Sequence, residues 1–498
     1  LHWVVVRVRA ALALVAVAVL AATVVSGGSS ADPRTPTGLP GLPDPYLGTM
    51  VLGSGRLTAA IDAYGDVVDM RRQPAGEALI DNSAASQAAG SVAAETGIVP
   101  WVSLGGAPER PLWTADSVRQ RYRPDTNMAV TVARFGSAWV QIAYAAGASE
   151  LACVLRASHG VRLSLRSAEP AAARKLRCDG GAARRIVRSA GRADRRWVSR
   201  ARPLGDDAPG WARRMYRRSL LVLRALTGRD SGAVAAGARD GWAYVWPRDA
   251  GATALAFAAA GYRAEAHRIA RFLLGLDLPA AARFHGDGTP VRGRGAQGDA
   301  AGWVALAAQA ADLPDRVASP AQATTPWQGR PDYQEGEAGE YLGNAVAAAA
   351  PLAGFESPLG LTRAAADPGS GLDTAAAWAV RPFPRPRFFP AARLTLTRLS
   401  RDAGRFGLVP GEAWAGGVDP WTAPTAWTAW GLAALGERQA ALRLLADLRR
   451  AATPAGALPE RVDDRTGLPR STTPLAWSHA FAILALRQLW PSRVPVGN

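Results

Sequence analysis

At 498 residues the chain is too long for one ordinary domain and long enough to bury a large core, which excludes a small disulfide-stapled scaffold. Its formal net charge is +17, carried by 58 basic residues of which Lys175 is the one lysine, beside 52 Gly and 36 Pro. That bias fits a GC-rich coding sequence, and no helix-turn-helix, zinc or aromatic-stacking module accompanies it, so nucleic acid is excluded as a partner; the charge still draws the chain toward anionic surfaces.

In chain order, residues 1–31 hold Arg7 and Arg9, an apolar run from Ala10 to Val25 and then SGGSSADP. This pattern predicts an export signal peptide or N-terminal anchor, hence a secreted or envelope-associated protein. With no cysteine after the run, a lipoprotein anchor is excluded. Residues 32–45 are a Pro/Gly linker. Residues 46–170 carry short apolar runs (RLTAAID, MAVTVARF, AWVQIAY, ELACVL) between Gly, Pro, Asp and Asn turns, which predicts an antiparallel β-sandwich. Cys153 and Cys178 are the two cysteines; an oxidising exterior would let them pair, and spacing alone leaves that open. From 171 to 207 an Arg-dense stretch reads as a solvated helix or linker, its 171–202 part a candidate contact for an anionic cell envelope.

From 208 to 492 the character changes. DAGATALAFAAAG is apolar on all sides and ends at Gly261, as a fully buried helix would, whereas YRAEAHRIARFLLGL is one-sided. TAWTAWGLAALG followed by ERQAALRLLADLRRA repeats the pair around Gly436, and DAAGWVALAAQAA and PLAWSHAFAILALRQLW read as further buried members. Inner and outer helices in alternation predict a double-walled helical toroid.

Three segments carry chemistry. AYVWPRDAG places Trp246, Arg248 and Asp249 at the entrance to an inner helix. A sugar ring suits such a set: Arg gives a rigid fork of donors, Asp gives acceptors, and Trp packs on the C–H face. The plainer alternative makes Asp249 a helix cap paired with Arg248. In the loop of residues 454–473, Glu460 follows Pro459 as a candidate general base, or as an ordinary surface acid. Glu335, Glu337 and Glu340 crowd before another apolar run, where a helix N-terminus also welcomes acids. GRGAQG at 293–298 matches G-x-G-x-x-G but follows no apolar strand, which argues against nucleotide binding. The five histidines are too scattered for a metal cluster, with His479 read as a packed residue, and no cofactor is implied.

Taken together, YVWPRDA (244–250), DGTPVRGRGAQGDAAGW (287–303) and LPE, TG and TPLAWSHA (458–480) resemble glycoside hydrolase family 15, the glucoamylases with related bacterial glucodextranases and trehalases. The resemblance implies an N-terminal β-sandwich followed by an (α/α)6 toroid, and exo-acting, inverting hydrolysis of α-glucosidic bonds in an oligo- or polysaccharide. Position by position, it implies that Trp246, Arg248 and Asp249 hold the non-reducing terminal sugar, with Gln297, Asp299 and Trp303 as further sugar contacts. It makes Glu460 the catalytic base and Glu335 the general acid. The sequence departs from the family at Gln334, where an aromatic residue is common, and at Arg461, where Gln is usual. A second reading keeps the fold as a carbohydrate-binding envelope protein without efficient catalysis.

Overall fold

A computed structural model describes residues 49–81, 97–167, 169–238, 241–313, 372–412, 414 and 416–492. The expected signal segment, the expected Pro/Gly linker and the acidic cluster of Glu335, Glu337 and Glu340 lie outside them.

Among the described residues twelve strands come first, and they form two sheets. In the larger, β1 (Met50–Gly53), β2 (Thr58–Ile61), β3 (Val67–Arg71), β5 (Ile98–Leu104) and β11 (Val161–Ser167) lie in that order, with β4 (Ala78–Asp81) on β3 and β6 (Arg110–Pro111) on β5. In the other, the order is β12 (Leu176–Cys178), β10 (Leu151–Ala157), β9 (Ala138–Ala146), β8 (Ala129–Phe135) and β7 (Ser117–Tyr122). Pairing is antiparallel except for β10 with β12, whose register sets Cys153 opposite Cys178, and the two form a disulfide. Alternate residues of both sheets, such as Leu52, Ile61 and Ile98 from one and Ala133, Val140 and Ile142 from the other, share one apolar core.

The Arg-dense stretch, expected as a solvated helix or linker, holds strand β12 and helix α1 (Gly180–Val198). Ala183, Val187, Gly191, Asp194 and Val198 recur every three or four residues and are buried, so the arginines between them fall on the outer faces. With Ala183 and Val187 the helix packs against Met128, Ala145 and Ala152 of the smaller sheet and its β7–β8 turn.

Buried and amphipathic helices then alternate as the patterning predicts. Helix α2 (Gly210–Leu226) lies against β1, where a Cβ on Gly53 would come within 2.3 Å of the Ala225 carbonyl oxygen, so bare backbone is required. Arg218 on α2 lays its guanidinium 3.7 Å from the centre of the Tyr122 ring and donates to the Thr126 carbonyl at 2.9 Å. Asn127 donates to the Leu221 carbonyl at 2.8 Å, which ties the sheets to the helices. Helix α3 (Pro247–Ala259) is buried almost all round, and Gly261, at a φ of +91°, turns the chain into amphipathic α4 (Arg263–Leu273). Next come α5 (Ala300–Ala310), a 3-10 turn (Thr374–Ala379) and α6 (Phe389–Asp402). Buried α7 (Thr422–Ala434), amphipathic α8 (Arg438–Ala451) and buried α9 (Ala476–Leu489) complete the described order.

The inner elements touch in the order α5, α3, α9, α7 and the 3-10 turn. Trp303 on α5 and Trp378 on the 3-10 turn close this series with ring centres 5.1 Å apart. Trp427 and Phe481 join them, so the middle of the helical body is an aromatic plug and not a pore.

Candidate functional site

The chain enters α3 with Trp246 at the cap and Pro247 as first helical residue, where its fixed φ and missing N–H cost nothing. Arg248 and Asp249 therefore sit in the first turn, both buried. They do not pair as the plainer reading expects. Arg248 Nη1 donates to Asp299 Oδ2 at 2.8 Å and to Gln297 Oε1 at 3.0 Å, and its guanidinium lies 4.7 Å from the centre of the Trp477 ring. The 287–303 segment thus reaches the WPRD segment through one cation. Asp299 Oδ1 is a buried acceptor without a donor among the described residues.

Asp249 Oδ1 accepts the backbone N–H of Trp477 at 3.4 Å, in the first turn of α9. The capping alternative is thus half right, since the acid serves a helix end, but that of a different helix. Burial pushes the Asp249 carboxyl up to about 7; the Arg248 charge and the Trp477 N–H act against this, while Glu460 and Asp299 add to it.

Glu460 is also buried. Its backbone N–H donates to the Thr472 carbonyl at 2.9 Å and its carbonyl accepts the Thr422 N–H at 3.0 Å, so two neighbouring segments fix the residue. Its carboxylate accepts the Trp242 indole N–H at 3.2 Å and the Ser471 hydroxyl. Burial raises the pKa of Glu460, and the Ser471 hydroxyl, the Arg461 charge and the Trp242 N–H oppose that rise. His479, two positions beyond Trp477, accepts the Leu458 N–H on Nε2 at 3.0 Å and meets the Ser219 hydroxyl at 2.9 Å through Nδ1. Burial lowers its pKa to about 3, so it is a neutral packing residue that holds the backbone leading to Glu460.

Of the residues named from sequence, Arg248, Asp249, Gln297, Asp299 and Glu460 meet in one place. Trp246 is 4% exposed, with the Arg283 guanidinium 5.5 Å from its ring centre and the Tyr244 ring 6.5 Å away. Trp303 is 0% exposed, lies in the aromatic plug and donates its indole N–H to Asp299 at 3.1 Å. Glu335, the expected acid, is outside the described residues. Sequence reasoning missed Trp242 and Ser471. The alternation of Trp242, Tyr244 and Trp246 in an extended stretch was the available signal for the first; the hydroxyl-rich STT of 471–473 was a weak one for the second.

The Asp419, Asp463 and Asp464 carboxylates lie within 4.8 Å of one another. Asp463 already accepts from the Thr466 backbone and hydroxyl at 2.8 Å each and pairs with Arg470, so its own carboxylate is occupied by protein donors.

No protein-family model and no curated protein matches the chain. Among solved structures it is similar to a bacterial glucoamylase in complex with acarbose, at 13% identity over 88% of this chain and 93% of that one, with a TM-score of 0.62. It is also similar to the glycoside hydrolase family 15 glucoamylase of Hypocrea jecorina, at 15% identity over 55% of this chain and 70% of that one, TM-score 0.41. For the glucoamylase of Saccharomycopsis fibuligera the figures are 14% identity, 58% and 97% coverage, and a TM-score of 0.44. The first of these shows a glucoamylase-like fold across most of the chain, as the resemblance in sequence implies.

Proposed function

We propose that the protein is an exported glycoside hydrolase of glucoamylase type that removes glucose from the non-reducing ends of α-linked oligo- or polysaccharides with inversion. On this reading the two sheets are a β-sandwich and the helical body an (α/α)6 toroid. The observation that carries the proposal is the convergence of Arg248, Asp249, Asp299 and Glu460 at the N-terminal ends of inner helices. That the similar bacterial protein was crystallised with acarbose supports a carbohydrate ligand.

Asp249 and the spare acceptor on Asp299 accept hydrogen bonds from hydroxyls of the terminal sugar, and Arg248 donates to its oxygens. Glu335, carried over from the motif, protonates the departing glycosidic oxygen as the bond from the anomeric carbon breaks. Glu460 takes a proton from a water that bonds to the opposite face of that carbon, so an α-linkage yields β-glucose. A base must be ionised when substrate arrives. The Ser471 hydroxyl and Trp242 N–H favour the ionised form of Glu460, and Arg461 adds a cation beside it. The departure at Arg461 is therefore compatible with a working base.

Purified mature chain should release glucose from at least one of starch, maltodextrin, dextran or trehalose. Failure on all four, with retained binding of one, would establish the carbohydrate-binding reading in its place.

A further inference from the structure

A cavity of about 920 Å³ opens on the flank between α1, α4, the end of α2 and the β1–β2 turn. That volume lies within the range of clefts that hold small ligands. It is remote from the proposed catalytic group: Phe257, which lines it, is eight residues along α3 from Asp249, about 12 Å of helix. A second cavity, of about 260 Å³, continues it and shares Ser54, Ala193, Arg224 and Arg229. Along α1 the lining runs Ile186, Ala190, Ala193, Trp197, Arg200, a stripe at helical spacing, and the combined groove follows α1 for at least about 15 Å.

Charge is uneven here. Arg196, Arg200, Arg224, Arg229 and Arg268 line the larger cavity against two acids. One of these, Asp230, is held by Arg56 at 2.9 Å. The other, Glu265, accepts the Trp197 indole N–H at 2.9 Å, with Arg200 and Arg268 each 3.9 Å away. Arg224 pairs with Asp194 at 2.6 Å, yet burial still lowers its pKa. Arg196 and Arg229 form no ion pair among the described residues, although both are exposed. A concave surface with this excess of planar donors suits an oxyanion, and several guanidinium groups lining one cavity match the acceptor-rich phosphate better than a carboxylate.

We propose that this groove is a second binding site, separate from the sugar site, for a phosphate-bearing ligand gripped by Arg196, Arg200, Arg229 and Arg268. The ligand is either a small phosphate ester or a segment of a polyol-phosphate polymer; both present the same group.

The test is calorimetric titration of the full chain at physiological ionic strength with pyrophosphate, with poly(glycerol phosphate) and with maltohexaose. At least one phosphate probe should bind saturably. Binding of pyrophosphate assigns a small ester, and binding of the polymer alone assigns a chain. Arg196→Gln/Arg229→Gln should weaken that binding about tenfold or more, the scale of losing two charge-assisted contacts. Arg184→Gln/Arg188→Gln, which removes equal charge from the outer face of α1, should change it less than about twofold. The single variants carry the comparison should the first double variant not fold. The proposal is overturned if neither phosphate probe saturates, if both double variants weaken binding equally, or if maltohexaose displaces the phosphate probe.

Discussion

Arginine works under opposite conditions at the two ends of this molecule's chemistry. At the inner-helix mouth Arg248 is 6% exposed and donates to Asp299 and Gln297, and the cations around Asp249 and Glu460, Arg248 and Arg461 among them, face carboxyl groups. On the flank the arginines outnumber the acids and two form no ion pair among the described residues. The lesson is that a high overall charge says little about a site. What matters is which side has partners left over: spare carboxylates suit neutral hydroxyls and water activation, while spare guanidinium groups suit oxyanions.

The mouth half of this contrast breaks most severely at Glu460. Glu460→Gln keeps the shape but removes the base, and turnover of every glucoside should fall by about a hundredfold to ten-thousandfold, measured as glucose release, with an unchanged circular dichroism spectrum. Retained turnover would place the base elsewhere.

Asp249 sharpens the contrast through two readouts. Asp249→Ala should cost tenfold or more in kcat/KM, because charge-assisted hydrogen bonds to a sugar are worth about 1.5–3 kcal/mol each. Asp249→Asn reports on stability. The carboxyl's folded-state pKa is raised from 3.8 to about 7, so the wild type loses stability as pH climbs from about 4 through 7, when a buried carboxyl must ionise. The Asn variant has no such group. Its melting temperature should therefore rise relative to wild type over that window, and a constant difference would contradict the burial of the charge.

A smaller effect is expected at Ser471. Its hydroxyl lowers the pKa of Glu460, so Ser471→Ala should move the acid limb of the kcat/KM profile to higher pH while much of the rate on the alkaline side remains. A limb that stays in place would mean that another group controls it.

Much of this arrangement was legible in the sequence, for identifiable reasons. The inner helices show themselves because α3, α7 and α9 are apolar on every face, while α4 and α8 alternate arginine with aliphatic ridges. Arg248 and Asp249 were visible because they stand at the entrance to one of those helices, whereas Glu460 was a loop acid whose role the family resemblance implied. What escaped depends on contacts between distant segments. Arg248 finds Asp299, 51 positions on, and Asp249 finds the Trp477 N–H, 228 positions on. The ring contacts of Trp303 in the aromatic plug and its bond to Asp299 were equally out of reach of the sequence. In the Arg-dense stretch composition left a solvated helix and a linker both open; the spacing of Ala183, Val187, Gly191 and Asp194 between the arginines builds a helix with a buried face.

The central claim is that Glu460 directs water to the face of the anomeric carbon opposite the leaving group. Proton NMR of the first product released from an α-linked oligosaccharide reads that face directly. The account predicts β-glucose as the initial anomer, relaxing afterwards to the equilibrium mixture; α-glucose as the initial anomer would contradict it.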